Sequence, residues 1–434
     1  MFSYYLQMAL RSLKRSPILT TLMVLAIGLG IGASMTMLTV LHVMDGDPLP
    51  GRSAHLYYPH LDPLPLKYPS GGDNDPSNNF TWPDAMALLK AHRAERQAAM
   101  SGGSVLVRPA GANMQPFLAR GHYATTEFFA MFGVPFLQGQ GWPASDDEAR
   151  ARVVVLEESL ARKLFGNVDV IGKTVRLNET DFRVIGVSAN WHPQPMFYAD
   201  PNGGVFGHAD QFFLPLATAL DLKLDLKGGT DTWVGGATDL TGASTSWLQV
   251  WVQLSDQAHA AAYRQFLVDY SARQKALGRF ERPASNAKLY SLKQWLQHEN
   301  LVPGDVRLQT WLALGFLLVC LVNIVALLLA KFLRRSGEVS VRRALGARRR
   351  DIFLQFGIES AVIGLVGGVL GLAIAQLGLW SVRERPDDYA HLAQMDVGML
   401  FGTVALAIVA SVVAGLLPAW RACCVVPALQ LKTM

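Results

Sequence analysis

The stretch LFGNVDVIGKTVRL, residues 164–177, comes nearest to known chemistry. Its Gly172, Lys173 and Thr174 form the tripeptide that grips nucleotide phosphates in a phosphate-binding loop. Such a loop needs four residues between its glycines, so that successive backbone N–H groups surround the phosphates before a helix begins. Here five residues follow Gly166, and the residues after Thr174 alternate as in a β-hairpin. The sequence therefore predicts a hairpin at this point instead of a nucleotide site.

A second set of side chains has the oxygen atoms that suit a cation. The spacing of positions 1, 3, 5, 7 and 12 of an EF-hand loop is shared by Asp73, Asp75, Ser77, Asn79 and Asp84. The glycine that such a loop needs at position 6 is Asn78 here, and Pro76 interrupts the pattern. We predict a polar loop, with a calcium site as the alternative.

Hydrolytic and metal-dependent chemistry lacks a motif in this sequence. None of the ten histidines belongs to an H-E-x-x-H pair, the spacing that places two zinc ligands on one helix face. No set of Ser, His and Asp residues forms an identifiable local motif either. An enzyme anchored to the membrane by its apolar segments therefore has no support from the residues.

The composition indicates a membrane protein. Half of the 434 residues are hydrophobic and only 17% are charged, against about 25% in soluble domains. Four apolar runs each exceed the roughly 20 residues that cross a bilayer, and the first is too long for a signal peptide. The predicted segments are an interfacial helix at 1–16, transmembrane helices at 17–44, 309–333, 352–380 and 397–418, a large domain at 45–308, a basic segment at 334–351, a short external loop at 381–396 and a tail at 419–434.

The distribution of charge predicts the orientation. Arg11, Lys14 and Arg15 precede the first span, and eight basic residues lie within 331–350, whereas 45–330 carry a net charge of −3. Positive residues accumulate on the cytoplasmic side and attract anionic lipids. We therefore predict an integral α-helical membrane protein, with both termini cytoplasmic and a 1+3 arrangement of spans. The extracytoplasmic α+β domain is periplasmic or extracellular, and no nucleic acid is bound.

The extracytoplasmic domain divides by its pattern into a split α/β part, about 50–115 and 246–300, and a strand-rich insert, about 120–245. It has no cysteine, because Cys320, Cys423 and Cys424 all lie outside it, so it must fold without disulfides. The elements predicted for the split part are strands at 55–61, 104–110, 247–254 and 288–292, a helix at 82–98 capped by Thr81, and a helix from Asp256 to about Ala276.

Within the spans, small residues recur at the spacing that lets two helices approach closely. These glycine pairs are Gly28 with Gly32, Gly364 with Gly368, and Gly367 with Gly371. We predict that they pack helices together, either within the chain or between two chains. Glu359 begins the third span, and we interpret it as a partner of the basic cluster, with a proton path as the alternative.

The basic segment has an ordered layout. Glu338 stands four residues from both Arg334 and Arg342, as in a helix with mutual charge support. Gly346 then interrupts the helix, and Asp351 opens the next one. A segment that only fixed topology by its positive charge would not need this layout.

Several motifs resemble those of the MacB/FtsX-like permeases of ABC transporters. They are E-V-S-V-R-R-A-L-G-A-R-R-R-D-I at 338–352 with the following Q-F-x-I-E-S, G-L-L-P-A-W-R-A at 415–422, V-V-P-A-L-Q-L at 425–431, F-F-A-M-F-G-V-P-F-L-x-G at 128–139, and the stretch at 164–177. The resemblance covers nearly the whole chain and includes the 1+3 arrangement. It departs at Cys423 and Cys424, where small or basic residues are more usual.

The resemblance implies a non-catalytic permease subunit of the bacterial inner (cytoplasmic) membrane, whose split α/β part is porter-like. It implies coupling to a separate cytoplasmic ATPase that holds ATP and Mg, a homo- or heterodimer of permeases, and in some relatives a periplasmic adaptor. No cofactor or metal is expected in this chain. The expected coupling residues are Glu338, Arg342, Arg343, Ala344, Gly346 and Ala347. A signalling subunit that acts on an external partner without transport is the alternative.

Overall fold

The computed structural model describes residues 7–8, 11–13, 15–68, 78–109, 114–199, 205–235, 238–301, 304–335, 337–338, 341, 345–384, 394–395 and 397–424. These residues divide into two compact units. The helical unit comprises Met1–Asp45 and Val302–Met434, and the sheet unit comprises Gly46–Leu301. The division falls close to the predicted domain at 45–308.

Eleven α-helices lie within the described residues. In chain order α1 to α11 are Pro17–Met44, Trp82–Ala91, Glu127–Phe132, Ala144–Glu148, Glu158–Phe165, Leu216–Asp221, Gln257–Ala276, Leu292–His298, Gly304–Arg334, Arg349–Arg383 and Val397–Cys424. Helices α1, α9, α10 and α11 are long and apolar enough to cross a membrane. The four predicted spans and their 1+3 order along the chain are confirmed.

Close contacts join α1 to α10 at glycines of both helices. A Cβ atom added to Gly32 would lie 2.6 Å from Cγ2 of Ile374, and one added to Gly367 would lie 2.6 Å from Cγ2 of Ile27. Gly28 and Gly371 meet across the same contact, where the Gly28 carbonyl oxygen lies 3.3 Å from the Cβ position of Gly371. Because lipid provides no hydrophobic force between helices, this van der Waals packing is what holds the pair together.

Helix α10 also packs on α11 through glycine. Cβ atoms added to Gly364 and Gly368 would both lie 2.8 Å from atoms of Ala407. The Ser411 hydroxyl donates to the Ser360 carbonyl oxygen at 2.6 Å across the same pair of helices. Helix α10 is thus the common neighbour of α1 and α11, and the structure places the glycine pairs inside one chain.

Among the residues that the structure describes, the sheet unit has thirteen β-strands, all in one sheet. In chain order β1 to β13 are Leu56–His60, Phe80–Thr81, Arg96–Arg108, Phe117–Ala124, Phe136–Gly139, Val153–Glu157, Thr174–Leu177, Thr180–Ser188, Phe212–Pro215, Asp225–Lys227, Asp231–Thr232, Thr245–Gln253 and Lys288–Ser291. Its main path is β13-β1-β12-β3-β4-β9-β6-β8-β5. The path continues from strands of the split α/β part into strands of the insert, because β3 and β4 pair antiparallel over eight residues.

The helix predicted at 82–98 is wrong at its C-terminal end. Helix α2 begins after Thr81, whose side chain accepts from the N–H of Asp84 as predicted. It ends at Ala91, because His92 takes the left-handed conformation with φ of 46°. The residues from Arg96 onward are extended and pair with β12. Sheet pairing therefore overrides the helix propensity of the Ala, Arg, Glu and Gln residues there.

Most of the other predicted elements are confirmed. The strands at 55–61, 247–254 and 288–292 correspond to β1, β12 and β13, and the strand at 104–110 is the second half of β3. Helix α7 begins after Asp256, whose carboxylate accepts from the N–H of His259 at 2.9 Å. Burial of apolar faces by α2 and α7 against the sheet accounts for these elements, since Leu88 and Leu267 are both fully buried.

The hairpin predicted after Gly172 and Lys173 is confirmed. Gly172 turns the chain with φ of +82°, which glycine adopts without strain. Strand β7 follows at Thr174 and pairs antiparallel with β8. No helix begins after Lys173, so the backbone does not form a phosphate-binding loop.

The calcium alternative is not supported at Asp84. Both oxygens of this buried carboxylate are occupied, since it accepts hydrogen bonds from Tyr270 at 2.6 Å, Thr81 at 2.6 Å and Arg279 at 2.9 Å. Burial, followed by the negative charge of Asp84, raises the pKa of Tyr270 above its ordinary value. The other EF-hand-like positions at 73–77 lie outside the described residues.

The sheet unit is expected to fold by itself. A fragment of residues 46–301 contains no cysteine and buries its own core of aromatic and aliphatic side chains. Its thermal unfolding, followed by circular dichroism, should be cooperative, with the same midpoint in oxidising and reducing buffer. An aggregated fragment without a cooperative transition would contradict the division at Gly46 and Leu301.

The close approach of α1 and α10 should be sensitive to a single side chain. Gly32→Val places methyl groups against Ile374, and overpacking of this kind costs about 1–3 kcal/mol. We expect a lower thermal unfolding midpoint in detergent for Gly32→Val. Gly402→Val is the matched control, because nothing lies within 4 Å of the Cβ position at Gly402. Equal midpoints for the two variants would show that the contact is not required.

Candidate functional site

The segment between α9 and α10 contains the predicted coupling residues. The structure describes Glu338, Gly346 and Ala347, while Arg342, Arg343 and Ala344 lie outside the described residues. Glu338 follows α9 in helical conformation, and the Leu345 N–H donates to the Val341 carbonyl oxygen at 3.0 Å. Helical conformation is therefore found again after the end of α9, and it ends at Leu345.

A sharp turn follows. Gly346 has φ of +98°, a conformation that L side chains rarely adopt, and no atom of the described residues lies within 4 Å of its Cβ position. The Arg348 N–H then donates to the Asp351 carboxylate at 3.2 Å, which caps the start of α10 as the sequence predicted. The segment consequently has a helix, turn, helix layout, with the turn at the predicted glycine.

Two apolar side chains on this segment are exposed. Leu345 is 83% exposed and Val341 is 53% exposed. They are four residues apart along one helical turn, so they share a face. The coupling residues predicted from the sequence are charged or small, and this apolar pair was not among them. The i, i+4 spacing of two apolar residues inside a basic helix was the signal that could have shown it.

A buried ionic cluster is centred on Glu359, in the helix that follows the exposed turn. This carboxylate is fully buried in α10, and Lys331 of α9 is 3% exposed. Lys331 Nζ lies 2.6 Å from Glu359 Oε1, and Arg335 contacts Oε2 at 3.3 Å. Ser12 donates its hydroxyl hydrogen to Oε1 at 2.5 Å. The predicted pairing of Glu359 with the basic cluster is confirmed.

Arg335 connects this cluster to the exposed segment. Its guanidinium lies 3.2 Å from the Glu338 carboxylate, 2.6 Å from the Ser12 hydroxyl oxygen and 3.3 Å from Glu359. The sequence interpretation paired Glu338 with Arg334 and Arg342, and Arg335, three residues earlier, was not considered. The contacts form a continuous path from Glu338 to the interior of α10.

The energetics make this cluster sensitive to the loss of one charge. A buried ion pair contributes little net stability compared with apolar residues of the same size. Removal of one partner, however, leaves an uncompensated buried charge and costs about 3–5 kcal/mol. Because Lys331 and Glu359 belong to different helices, the pair favours one relative placement of α9 and α10 over any that would separate them.

A metal-dependent site is not seen in the part of the chain that the structure describes. Among those residues no group of three or more His, Cys, Asp or Glu side chains could hold a metal ion. His122 is buried in the sheet unit, and its Nδ1 lies 2.8 Å from the Asp210 carboxylate. The Tyr198 hydroxyl donates a hydrogen bond to the same carboxylate. This arrangement joins a loop to the sheet and includes no nucleophile.

Two family models match the chain. The MacB-like periplasmic core domain matches residues 20–269, and the FtsX-like permease C-terminal domain matches residues 311–425. The first match corresponds to α1 with most of the sheet unit, and the second to the segment carrying α9, α10 and α11. Together they include most of the extracytoplasmic domain, up to residue 269, and the candidate coupling segment.

The chain is similar to several macrolide export ATP-binding/permease proteins MacB. The one from Bdellovibrio bacteriovorus is 28% identical over 241 residues, which are 54% of this chain and 32% of that protein. The one from Salmonella typhi is 24% identical over 297 residues, which are 68% of this chain and 40% of that protein. The matched part of this chain thus spans about a third of the length of these relatives.

Two of the similar solved structures are a periplasmic region and an extracellular domain. The periplasmic region of MacB from Actinobacillus actinomycetemcomitans is 19% identical, with a TM-score of 0.37, and covers 58% of this chain and 96% of that one. The extracellular domain of the noncanonic ABC-type transporter YknZ from Gram-positive bacteria is 15% identical, with a TM-score of 0.32. This match covers 50% of this chain and 93% of that one. On the strength of the two family models, the chain belongs to the MacB/FtsX-like family of ABC transporter permeases.

Proposed function

We propose that this chain is the permease subunit of an ABC transporter, driven by a separate cytoplasmic ATPase that holds ATP and Mg. ATP hydrolysis moves the extracytoplasmic domains, for export or extraction of a substrate. The relatives are named as ATP-binding/permease proteins, and this chain matches about a third of their length. The observation that carries the proposal is the exposed turn at Val341 and Leu345 together with the buried ionic cluster at Glu359.

Docking is the first step of the proposed mechanism. The shared face of Val341 and Leu345 enters an apolar groove of the ATPase, and burial of one such side chain contributes about 1.5–3 kcal/mol. Arg342 and Arg343 add charge-assisted hydrogen bonds to acidic groups at the rim. Gly346 lets the chain turn back toward α10 without a side chain in the way.

Transmission is the second step. A displacement of the docked segment acts on Glu338, and the contacts of Arg335 with Glu338 and Glu359 carry it to α10. Helix α10 is packed on α1 through glycines, and α1 leads directly into the extracytoplasmic domain. The helices then move as connected bodies, as in other hinge or shear transitions.

The proposed assembly contains two permease chains, identical or different, and two ATPase subunits in the bacterial inner membrane. Both termini of this chain face the cytoplasm, and a periplasmic adaptor joins in some arrangements. The chain itself has no catalytic role. The basic residues of the segment 334–350 support the cytoplasmic placement, since short cytoplasmic loops collect Lys and Arg.

The docking step is tested by Leu345→Ser and by the double variant Arg342→Glu with Arg343→Glu. Loss of the Leu345 contact should weaken ATPase binding about 10- to 100-fold. The double variant should release the ATPase or leave it bound without coupling to transport, while the chain still inserts. Copurification, ATP turnover and transport are measured in proteoliposomes of the assembled complex.

Leu277→Ser is the matched control, because Leu277 is 74% exposed but belongs to the sheet unit. It should copurify with the ATPase as the unaltered chain does. If Leu345→Ser and the arginine double variant also retain full binding and transport, the segment only fixes topology and the coupling assignment is wrong. A complex in which the ATPase binds and turns over ATP normally, but no substrate is moved, would favour the signalling alternative.

The transmission step is tested at the ionic cluster. Glu359→Gln leaves Lys331 buried without its counter-charge, so the thermal unfolding midpoint should fall. The expected loss in the free energy of unfolding is about 3–5 kcal/mol. Combining it with Lys331→Met should restore most of the stability but not the coupling of ATP turnover to transport. Glu384→Gln, at the exposed end of the same helix, is the control. Normal coupling in the stable double variant would exclude the cluster from transmission.

A further inference from the structure

The entry connector, residues 46–55, leads from the end of α1 to the start of β1. Its backbone forms a closed turn. The Asp47 carboxylate accepts from the Leu49 N–H at 3.1 Å and from the Ser53 hydroxyl. The N–H groups of Arg52 and Ser53 both donate to the Leu49 carbonyl oxygen, at 2.9 and 3.0 Å. A displacement of α1 therefore acts on a compact turn instead of a loose chain.

Two sets of contacts attach the entry connector to the split α/β part. Leu49 is 8% exposed and belongs to the main core of the sheet unit. The N–H of Leu254, directly after β12, donates to the His55 carbonyl oxygen at 2.9 Å. His55 Nδ1 lies 3.3 Å from the Leu254 carbonyl oxygen. The split part is consequently joined to the connector by its core and by its sheet.

Arg52 extends from the connector to the insert. Its guanidinium donates to the carbonyl oxygens of Ala130 at 3.2 Å and Met131 at 3.5 Å. Both oxygens belong to the last turn of α3, where carbonyl groups have no partner within the helix and carry partial negative charge. A basic side chain is favoured at such a helix end. Arg52 and Ala130 are 78 positions apart in the sequence, so the contact joins distant segments.

The close approach of Arg52 to α3 depends on Gly133. This residue ends α3 with φ of +69°, which glycine adopts without strain. A Cβ atom added to Gly133 would lie 2.7 Å from Cζ of Arg52. The end of α3 thus has room for a guanidinium group that most other residues at this position would displace.

Helix α3 is held firmly inside the insert. Phe128 is fully buried, and its ring centroid lies 5.4 Å from that of Tyr198 and 5.3 Å from that of Phe213 in β9. At the start of α3, the Thr126 N–H donates to the Asp147 carboxylate at 2.7 Å. Because packed interiors deform little, a force applied to the end of α3 reaches the insert around it.

A second route to α3 passes through the split part. The ring centroids of Phe132 and Trp251 of β12 lie 6.3 Å apart, and both side chains are fully buried. This apolar contact reaches α3 from the sheet, whereas Arg52 reaches it from the connector itself. Loss of Arg52 should therefore reduce the movement passed to α3 without abolishing it.

We propose that Arg52 couples the entry connector to α3, so that the insert follows a displacement of α1 together with the split part. The inference rests on the proposed function, which supplies that displacement. It adds a positioning residue in the extracytoplasmic domain to coupling residues that were all predicted between α9 and α10. Without Arg52 the split part is still displaced, but the insert follows it less closely.

The first measurement is hydrogen exchange of the full chain in lipid nanodiscs without nucleotide. Arg52→Met removes the charged donor but keeps a long side chain, and it should speed exchange of the amides at 129–134 at least about threefold. Arg52→Lys retains a donor and should restore most of the protection. Arg264→Met is the matched control, because Arg264 on α7 is exposed and no hydrogen bond or ion pair of its guanidinium is seen among the described residues.

The second measurement adds the ATPase, ATP and Mg to the same nanodiscs. In the unaltered chain, ATP should change hydrogen exchange at both 47–55 and 126–134. In Arg52→Met the change at 47–55 should remain, while the change at 126–134 should fall by at least about half, because the route through Trp251 persists. Arg52→Lys should recover this change, and Arg264→Met should behave as the unaltered chain does. A side chain that only stabilised the fold would not separate the two segments in this way.

The outcomes distinguish this inference from the proposed function. Unchanged exchange at 129–134 in Arg52→Met without nucleotide would overturn the contact itself, whatever the ATPase does. A full ATP-driven change at 126–134 in Arg52→Met would overturn the coupling role while leaving the proposed function intact. If ATP changes neither segment in the unaltered chain, the proposed function is wrong, and the coupling role of Arg52 is wrong with it.

Discussion

A buried carboxylate governs the arrangement of the helical unit. Glu359 is fully enclosed in α10, and its charge is compatible with that position only because Lys331 of α9, Arg335 just after α9 and Ser12 lie against it. A charge in an apolar interior must be paired or it becomes neutral. The partners come from two segments far apart in the sequence, one at Ser12 and one at 331–335, so the need to satisfy one side chain fixes where the N-terminal residues and two spanning helices meet.

Glycine packing and the ionic cluster act at different levels of the same bundle. The glycine contacts bring α1 and α11 against α10 at short range, and their geometry tolerates no added side chain at Gly32 or Gly364. The cluster lies nearer the basic segment and joins α9 to α10 through charge. The first kind of contact gives a rigid body, since packed interiors deform little. The ionic cluster connects this rigid body of helices to the exposed segment that contains Leu345.

Local patterns predicted those features that depend on local physics. The spans, the hairpin at Gly172 and the start of α7 at Asp256 follow from apolar length, turn chemistry and capping, each readable within a few residues. The end of α2 was missed because pairing of β3 with β12 is decided more than a hundred residues away. Likewise Arg335 was not recognised as the partner of Glu359, and the order of the strands could not be read, since both depend on long-range contacts.

The pairing of β1 with β13 has a consequence for how such proteins diversify. These are the first and last strands of the sheet unit, and Tyr57 lies opposite Ser291 in their antiparallel register. The chain thus enters and leaves the unit at adjacent points, an arrangement in which whole domains are exchanged without disturbing their host. A gene segment encoding 46–301 is therefore a natural unit of recombination. A different domain inserted at the same two points would leave the packing of the membrane helices unchanged.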